Sequence, residues 1–258
     1  MFPVSAYLAR IGYSGPTGPS ADTLRAFHRA HLLAVPFENL DIALGRTIVV
    51  DEDVTVHKIV ELRRGGFCYE LNGAFAGLLR ELGFRVTLLS ARVCGEKKEG
   101  PEFDHLTSRV DLPEADLPED DRSPWLADVG FGDSFLEPLR LMVGEEQADP
   151  AGRFRLMRIG ERLQLERVDG EGRWKRQYTF TLEPRRLEDF QGMCHYHQTS
   201  PESHFTQNSI CSRATPEGRI TLSGMNFIVT RNGLREERLL ISEAERAEVL
   251  RRDFGIVV

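Results

Sequence analysis

The stretch Arg63-Arg-Gly-Gly-Phe-Cys-Tyr-Glu-Leu-Asn-Gly-Ala-Phe75 runs two glycines into a cysteine and then into an apolar helical pattern. Leu71, Phe75, Leu78, Leu79 and Leu82 recur at helical spacing, so a helix with one buried face starts at or near Cys68 and stops at Gly83. A thiol in the first turn of a helix feels the positive end of its dipole, which favours thiolate over thiol. Gly65 and Gly66 let backbone and substrate come close to the sulfur. The stretch reads as a poised nucleophile, and the rest of the chain must supply its base.

Residues before it read as mainly helical. Val4 to Ile11 forms a short helix ended by Gly12. Ser20 is an N-cap for a second helix, which stops near Val35 because Pro36 disfavours helical geometry in the preceding residue. The loop Val35-Pro-Phe-Glu-Asn-Leu40 follows, then a helix over Val54–Leu62. From Arg85 the period changes. Arg85–Val93, His105–Leu112, Trp125–Val129, Phe154–Ile159, Leu163–Val168 and Trp174–Leu182 read as strands of an antiparallel meander or small barrel, with Pro113–Asp121 as an acidic surface loop. Residues 191–213 are polar with little periodicity. Strands follow at Arg219–Leu222, Phe227–Arg231 and Arg235–Leu240, and Ser242-Glu-Ala-Glu245 opens a last helix as a capping box. Helices, then strands, then a smaller mixed segment make the fold class α+β.

Composition narrows the function. The 258 residues are 41% hydrophobic and 28% charged, enough for a substantial core, and the net charge of −7 argues against nucleic acid. No apolar run approaches the roughly 20 residues that span a bilayer, and the N-terminus has no signal-peptide pattern. The expected compartment is the cytoplasm. There, Cys68, Cys94, Cys194 and Cys211 are free thiols rather than a disulfide scaffold.

A cysteine nucleophile needs a histidine to take its proton and a third group to orient that histidine. His28, His31 and His57 fall within helical patterns and read as structural or surface residues, while His195, His197 and His204 sit in the irregular late segment. His105 differs: it opens the strand face opposite Leu106, Ser108, Val110 and Leu112. Asp128 lies in the apolar run Trp125–Gly132, where a carboxylate carries a desolvation penalty that the Nδ1–H of His105 would relieve. On these residues alone other readings stay open, since a buried Asp also caps local backbone and a Cys also serves as a small core residue.

Arg10-Ile-Gly12 with Tyr13, PFENL at 36–40, RGGFCYELN at 64–72, DVGFG at 128–132, Pro138-Leu and Ser200-Pro-Glu-Ser-His-Phe205 together resemble the arylamine N-acetyltransferase family, in its order and over nearly the whole chain. The resemblance implies a triad of Cys68 as nucleophile, His105 as base and Asp128 as orienter. It implies an N-terminal helical bundle (1–86) carrying the nucleophile, an antiparallel β-barrel (87–190) carrying His and Asp, and a C-terminal α/β lid (191–258). The first two parts would be similar to a papain-like or transglutaminase-like core. It further implies acetyl-CoA as co-substrate, an acetyl-cysteine intermediate, and a small aromatic amine or hydrazine as acceptor, with no permanently bound cofactor and no metal. Phe37, Val93 and Phe131 would pack against the acceptor, each also readable as an ordinary core side chain. Gly130 and Gly132 would let the pantetheine arm of the coenzyme pass. Glu38 and Arg64 read as a buried structural ion pair.

Two features depart from the family pattern. Asp104 precedes His105 where relatives carry a threonine near the coenzyme, and the link Cys94–Glu102 is unusually charged. Among rival readings, Cys194-His-Tyr-His197 with His204 and Cys211 fits no standard zinc spacing. An amide synthase closing a polyketide thioester onto an aromatic amine would use the same triad and a wider cleft. A cysteine protease or transglutaminase would share the triad, but not PFENL and DVGFG. Oligomeric state is not encoded in any of these patterns.

Overall fold

The computed structural model describes residues 1–95, 98–113 and 123–257. Helices α1 (Val4–Arg10) and α2 (Ala21–Ala34) come first, then a short strand β1 (Phe37–Glu38), then α3 (Leu40–Ala43), α4 (Glu52–Val60) and α5 (Cys68–Glu81). Ser20 caps α2 by accepting from Thr23 N, and Val35 takes the extended backbone (φ −107°, ψ 118°) that a following proline favours. α4 begins earlier than its apolar pattern suggests, because Asp51 accepts from Val54 N at 2.9 Å and so sets its start. Leu71, Phe75 and Leu78 of α5 pack with Tyr7, Leu24, Phe27 and Ile59 in one core, which buries the face that the periodicity marks.

An antiparallel sheet follows: β2 (Arg85–Val93), β3 (His105–Asp111), β4 (Trp125–Ala127), β5 (Leu139–Arg140), β6 (Glu146–Asp149), β7 (Gly152–Ile159), β8 (Arg162–Val168) and β9 (Trp174–Phe180). Their spatial order is β5-β4-β3-β2-β9-β8-β7-β6. At the seam, Arg140 N donates to Gln147 Oε1 at 2.7 Å and Gln147 Nε2 donates to Arg140 O at 2.9 Å. One glutamine side chain therefore joins the edge strands, and the sheet is a nearly closed barrel filled by Leu89, Leu126, Phe154, Leu156, Leu165 and Tyr178. The sequence reading lacks β5 and β6, since the first is too short and the second has no apolar face. The loop expected over Pro113–Asp121 lies, beyond Pro113, outside the described residues.

The last part departs most from expectation. Residues 191–213 contain α6 (Gln191–Thr199), α7 (His204–Gln207) and the start of β10 (Ile210–Thr215) rather than irregular chain. The periodicity is hard to see because α6 buries Cys194 and His197, not aliphatic residues. β11 (Gly218–Ser223), β12 (Asn226–Arg231) and β13 (Leu234–Leu239) extend this second sheet before α8 (Glu243–Val249). PFENL is not the loop expected either: Phe37 pairs with Ser212 and Glu38 with Cys211, so β1 forms the edge of the second sheet. That pairing spans most of the chain and is invisible to local pattern. Among the described residues, no helix is long and apolar enough to cross a membrane.

Candidate functional site

Cys68 is the first residue of α5. The helix start is held by Glu70, whose carboxylate accepts from Phe67 N at 3.1 Å, in the manner of a capping box. Gly65 is required here, because a Cβ would run into the carbonyl of Pro36. Across the site, a Cβ on Gly130 would stand 2.8 Å from Cys68 Cα, so DVGFG can lie against the helix start only with glycine there.

A cavity of about 330 Å³ opens at this junction. Cys68 and His105 line it, with Phe37, Val93, Gly130 and Phe131 from the sequence reading and with Asp104, His197, His204 and Phe205 besides. Its accessible wall is mostly apolar. Asp128 lies behind it, fully buried. Gly132 is not part of the wall; it sits beside it with positive φ (92°), its open side towards the Phe37 ring. Two larger clefts, of about 460 and 430 Å³, hold none of the predicted residues and are flanked by ion pairs such as Arg162–Glu99 and Arg167–Asp133.

His105 meets Asp128 through Nε2, at 2.7 Å from Oδ2. This corrects the expectation that Nδ1 faces the carboxylate. His105 enters at the start of β3, where its ring presents the far nitrogen to Asp128 and leaves Nδ1 to accept a proton. Asp128 also accepts from Tyr178 OH at 2.9 Å, from Asn72 Nδ2 at 2.9 Å and from Gly130 N at 3.0 Å. Burial pushes its carboxyl up, but the charge and hydrogen bond of His105 and the bonds from Asn72 and Tyr178 outweigh that and hold it below the usual carboxylate range.

Behind Asp128, its backbone N donates to His28 Nε2 at 3.0 Å, while His28 Nδ1 donates to Leu136 O at 2.8 Å. Nε2 can accept only if it carries no proton, so His28 is a neutral imidazole; burial likewise pulls its pKa down. The thiol of Cys68 differs from its sequence-based reading. Complete burial pushes it well up, a backbone hydrogen bond from Leu106 pulls it down, and the charges of Asp128 and Asp104 push it up again. Burial thus works against the thiolate that the helix start favours.

On the other side of α5 lies a buried charge cluster. Arg64 Nε donates to Glu38 Oε1 at 2.9 Å, and Arg64 Nη2 reaches both Glu38 and Asp41. Lys58 Nζ lies 2.6 Å from Asp41 and 2.7 Å from Glu70. The expected Glu38–Arg64 pair is thus one link of a wider network, which the exposed Arg46 joins at Asp41, 3.7 Å away. Burial pushes Glu70 up and Lys58 pulls it down, but the neighbouring Glu38 adds to burial, and its carboxyl stands at about 7.

The sequence reading assigned no part here to Tyr178, Asn72, Phe205 or the His197 and His204 side chains. Asn72 carried a usable signal: it lies one helical turn beyond Cys68 and so on the same face. Tyr178, in an ordinary strand pattern, carried none. His197 and His204 belong to the group weighed for zinc; among the described residues, no three His, Cys, Asp or Glu side chains gather as a metal would need.

Residues 20–258 match a family model described as N-acetyltransferase. The arylamine N-acetyltransferase of Escherichia coli (strain K12) is 36% identical over 255 residues, covering 98% of this chain and 88% of that protein. The structure of Mycobacterium marinum arylamine N-acetyltransferase in complex with CoA superposes with a TM-score of 0.90 at 33% identity, covering 98% of this chain and 92% of that one. Proansamycin X synthase of Amycolatopsis mediterranei is 32% identical, covering 95% of this chain and 94% of its own.

Proposed function

This chain belongs to the arylamine N-acetyltransferase family and is an acyltransferase, and from that premise we propose that it moves an acetyl group from acetyl-CoA to arylamines and arylhydrazines through Cys68. The observation that carries this reading is the Cys68–His105–Asp128 constellation opening on one small apolar cavity. In the first half-reaction His105 Nδ1 takes the thiol proton, and the sulfur attacks the thioester carbonyl of acetyl-CoA. The carbon–sulfur bond to CoA breaks as the new one forms, and CoA leaves with a proton from His105. Thioester exchange is nearly isoenergetic, so the acetyl group can wait on the enzyme. In the second half, an amine nitrogen attacks the acetyl carbon, His105 accepts a nitrogen proton, and the Cys68 sulfur departs and regains a proton.

Asp128 keeps the imidazole oriented and stabilises its protonated form. Phe37, Val93 and Phe131 supply the acceptor's apolar contacts and keep water from the acetyl-cysteine. Gly130 and Gly132 leave room for the pantetheine arm. In this reading residues 1–86 carry the nucleophile, 87–190 the base and its orienter, and 191–258 act as a lid, with a helix-borne Cys against a barrel-borne His as in papain-like enzymes. No resident cofactor takes part, and the reaction belongs to the cytoplasm.

The likeness to Proansamycin X synthase favours a second reading, an amide synthase acting on a long acyl thioester with the same three residues. A cavity of about 330 Å³ suits a single aromatic ring better than a polyketide chain. Incubation with acetyl-CoA alone should add one acetyl group to the wild-type protein in intact mass spectrometry and none to Cys68→Ala. Turnover against a panel of arylamines and hydrazines should follow. An unmodified wild-type protein defeats the proposal, and turnover confined to bulky acyl thioesters transfers it to the amide synthase.

A further inference from the structure

Asp104 and His197 bring a carboxylate and a further imidazole to the wall that holds Cys68 and His105. They come from different parts of the chain, Asp104 from just before β3 and His197 from α6. His197 Nε2 lies 3.2 Å from Asp104 Oδ1. This nitrogen is buried and makes no aligned hydrogen bond among the described residues, so its environment is set by the carboxylate.

The other ring nitrogen decides where the proton is. Ser203 has one hydroxyl hydrogen, and it goes to the carbonyl of His197 at 3.0 Å, an atom that can only accept. Ser203 Oγ accepts from Phe205 N at 3.2 Å, so its 3.3 Å contact with His197 Nδ1 is one in which Nδ1–H donates. With Nδ1 protonated, a neutral His197 would set an unprotonated Nε2 3.2 Å from a carboxylate oxygen, and two acceptors repel. The contact is attractive only when the ring carries a second proton, and with it a positive charge beside the carboxylate.

We propose that Asp104 and His197 are a positioning pair that holds this proton and thereby sets how readily Cys68 ionises. Asp104 is close enough for its charge to oppose thiolate formation at Cys68. With the proton held on the pair, that negative charge is cancelled and the sulfur faces only the dyad behind it. When the proton is lost, the carboxylate acts on the sulfur unscreened. The other titratable groups acting on Cys68 are Asp128, Cys194 and Tyr69, with His105 and His204 on the same wall; those packed on His197 are Tyr69 and Tyr196, with ring centroids 6.1 and 5.7 Å away. Burial pushes the Tyr69 hydroxyl up, so it brings no charge to the pair. The proposal rests on Cys68 being the reactive thiol of the proposed acetyl transfer, but its test reads the thiol itself.

The experiment is the rate of alkylation of Cys68 by iodoacetamide across pH, followed by intact mass with Cys68→Ala as blank. His197→Gln leaves the carboxylate uncompensated and should slow alkylation about tenfold on the acid limb of the profile. Asp104→Asn alone removes a charge that the pair already cancels there, and should stay within about twofold of wild type. In the Asp104→Asn background, His197→Gln should have almost no further effect, because the charge it would uncover is gone. A His197→Gln profile within about twofold of wild type, or an equal effect of His197→Gln with and without Asp104, overturns the pair. If His197→Gln does not fold, His197→Asn is read in its place with the same two outcomes. A normal response here without acetyl-enzyme formation from acetyl-CoA defeats the acetyl-transfer reading and leaves the pair standing.

Discussion

Asp128 and Glu70 are both buried carboxylates within a few residues of Cys68 in space or sequence, and their environments push them in opposite directions. Asp128 is surrounded by donors: His105, Tyr178, Asn72 and Gly130 N all point at it, and it stays ionised. Glu70 has a lysine at 2.7 Å, a direct counterion, yet its carboxyl is pushed up to about 7. Burial is the first reason, and the sharing of charge adds to it. Lys58 is divided between Asp41 and Glu70, Arg64 between Glu38 and Asp41, and the exposed Arg46 reaches only Asp41, at 3.7 Å, so Glu70 has part of one cation and Glu38 as a neighbour. A partner and donors aimed at one carboxylate, here the His105 charge with Asn72 and Tyr178, stabilise it without bringing rival anions; a shared cation brings them along.

The largest way to break this contrast is Asp128→Asn. The amide fills the same space but cannot stabilise an imidazolium, and kcat/KM for acetyl transfer should fall by about 10⁴ with the fold intact by circular dichroism. On the other side, Arg64→Met leaves Glu38 buried without its ion-pair partner. It should cost about 3–5 kcal/mol in urea unfolding, against little change for a surface arginine such as Arg173. Tyr178→Phe removes one donor from Asp128 and should lower kcat by about tenfold, since a bond to a charged group contributes about 1.5–3 kcal/mol. An unchanged kcat would show that the three other donors suffice.

Glu70→Gln probes the subtlest part. Between about pH 4.5 and 7 the native state binds a proton at Glu70 that the unfolded chain has released, so this group's contribution to stability falls as pH rises through that window. The slope is at most about 1.4 kcal/mol per pH unit. Subtracting the variant's unfolding free energies from the wild type's, pH by pH, should recover that decline, and a flat difference would place Glu70 among ordinary carboxylates.

Much of this site can be read in the chain without coordinates. Cys68 after two glycines, at the head of a periodic apolar run, marks a helix start with a thiol on it. Asp128 in an apolar stretch signals a buried carboxylate in need of donors. Ser20 and Ser242 announce their helices: Ser242 Oγ accepts from Glu245 N at 3.2 Å, although the Glu245 carboxylate answers to Ile241 N. These readings succeed because each depends on neighbours within about four residues. Phe37–Glu38 fails the same treatment, since only Ser212 and Cys211 make it a strand. Tyr178 fails likewise: nothing beside it in the chain foretells that its hydroxyl reaches Asp128.

Adjacent residues were enough to place most of the helices and long strands, the thiol, and the family to which the chain belongs, because caps, turns, periodicity and contiguous motifs are local. The folded chain alone settles which imidazole nitrogen meets Asp128, that burial works against the Cys68 thiolate, and that Asp104 finds His197. Each of those depends on how far a group is from water and from charges brought in by distant segments. Desolvation and charge contact are properties of the folded interior, where residues far apart in the chain become each other's solvent.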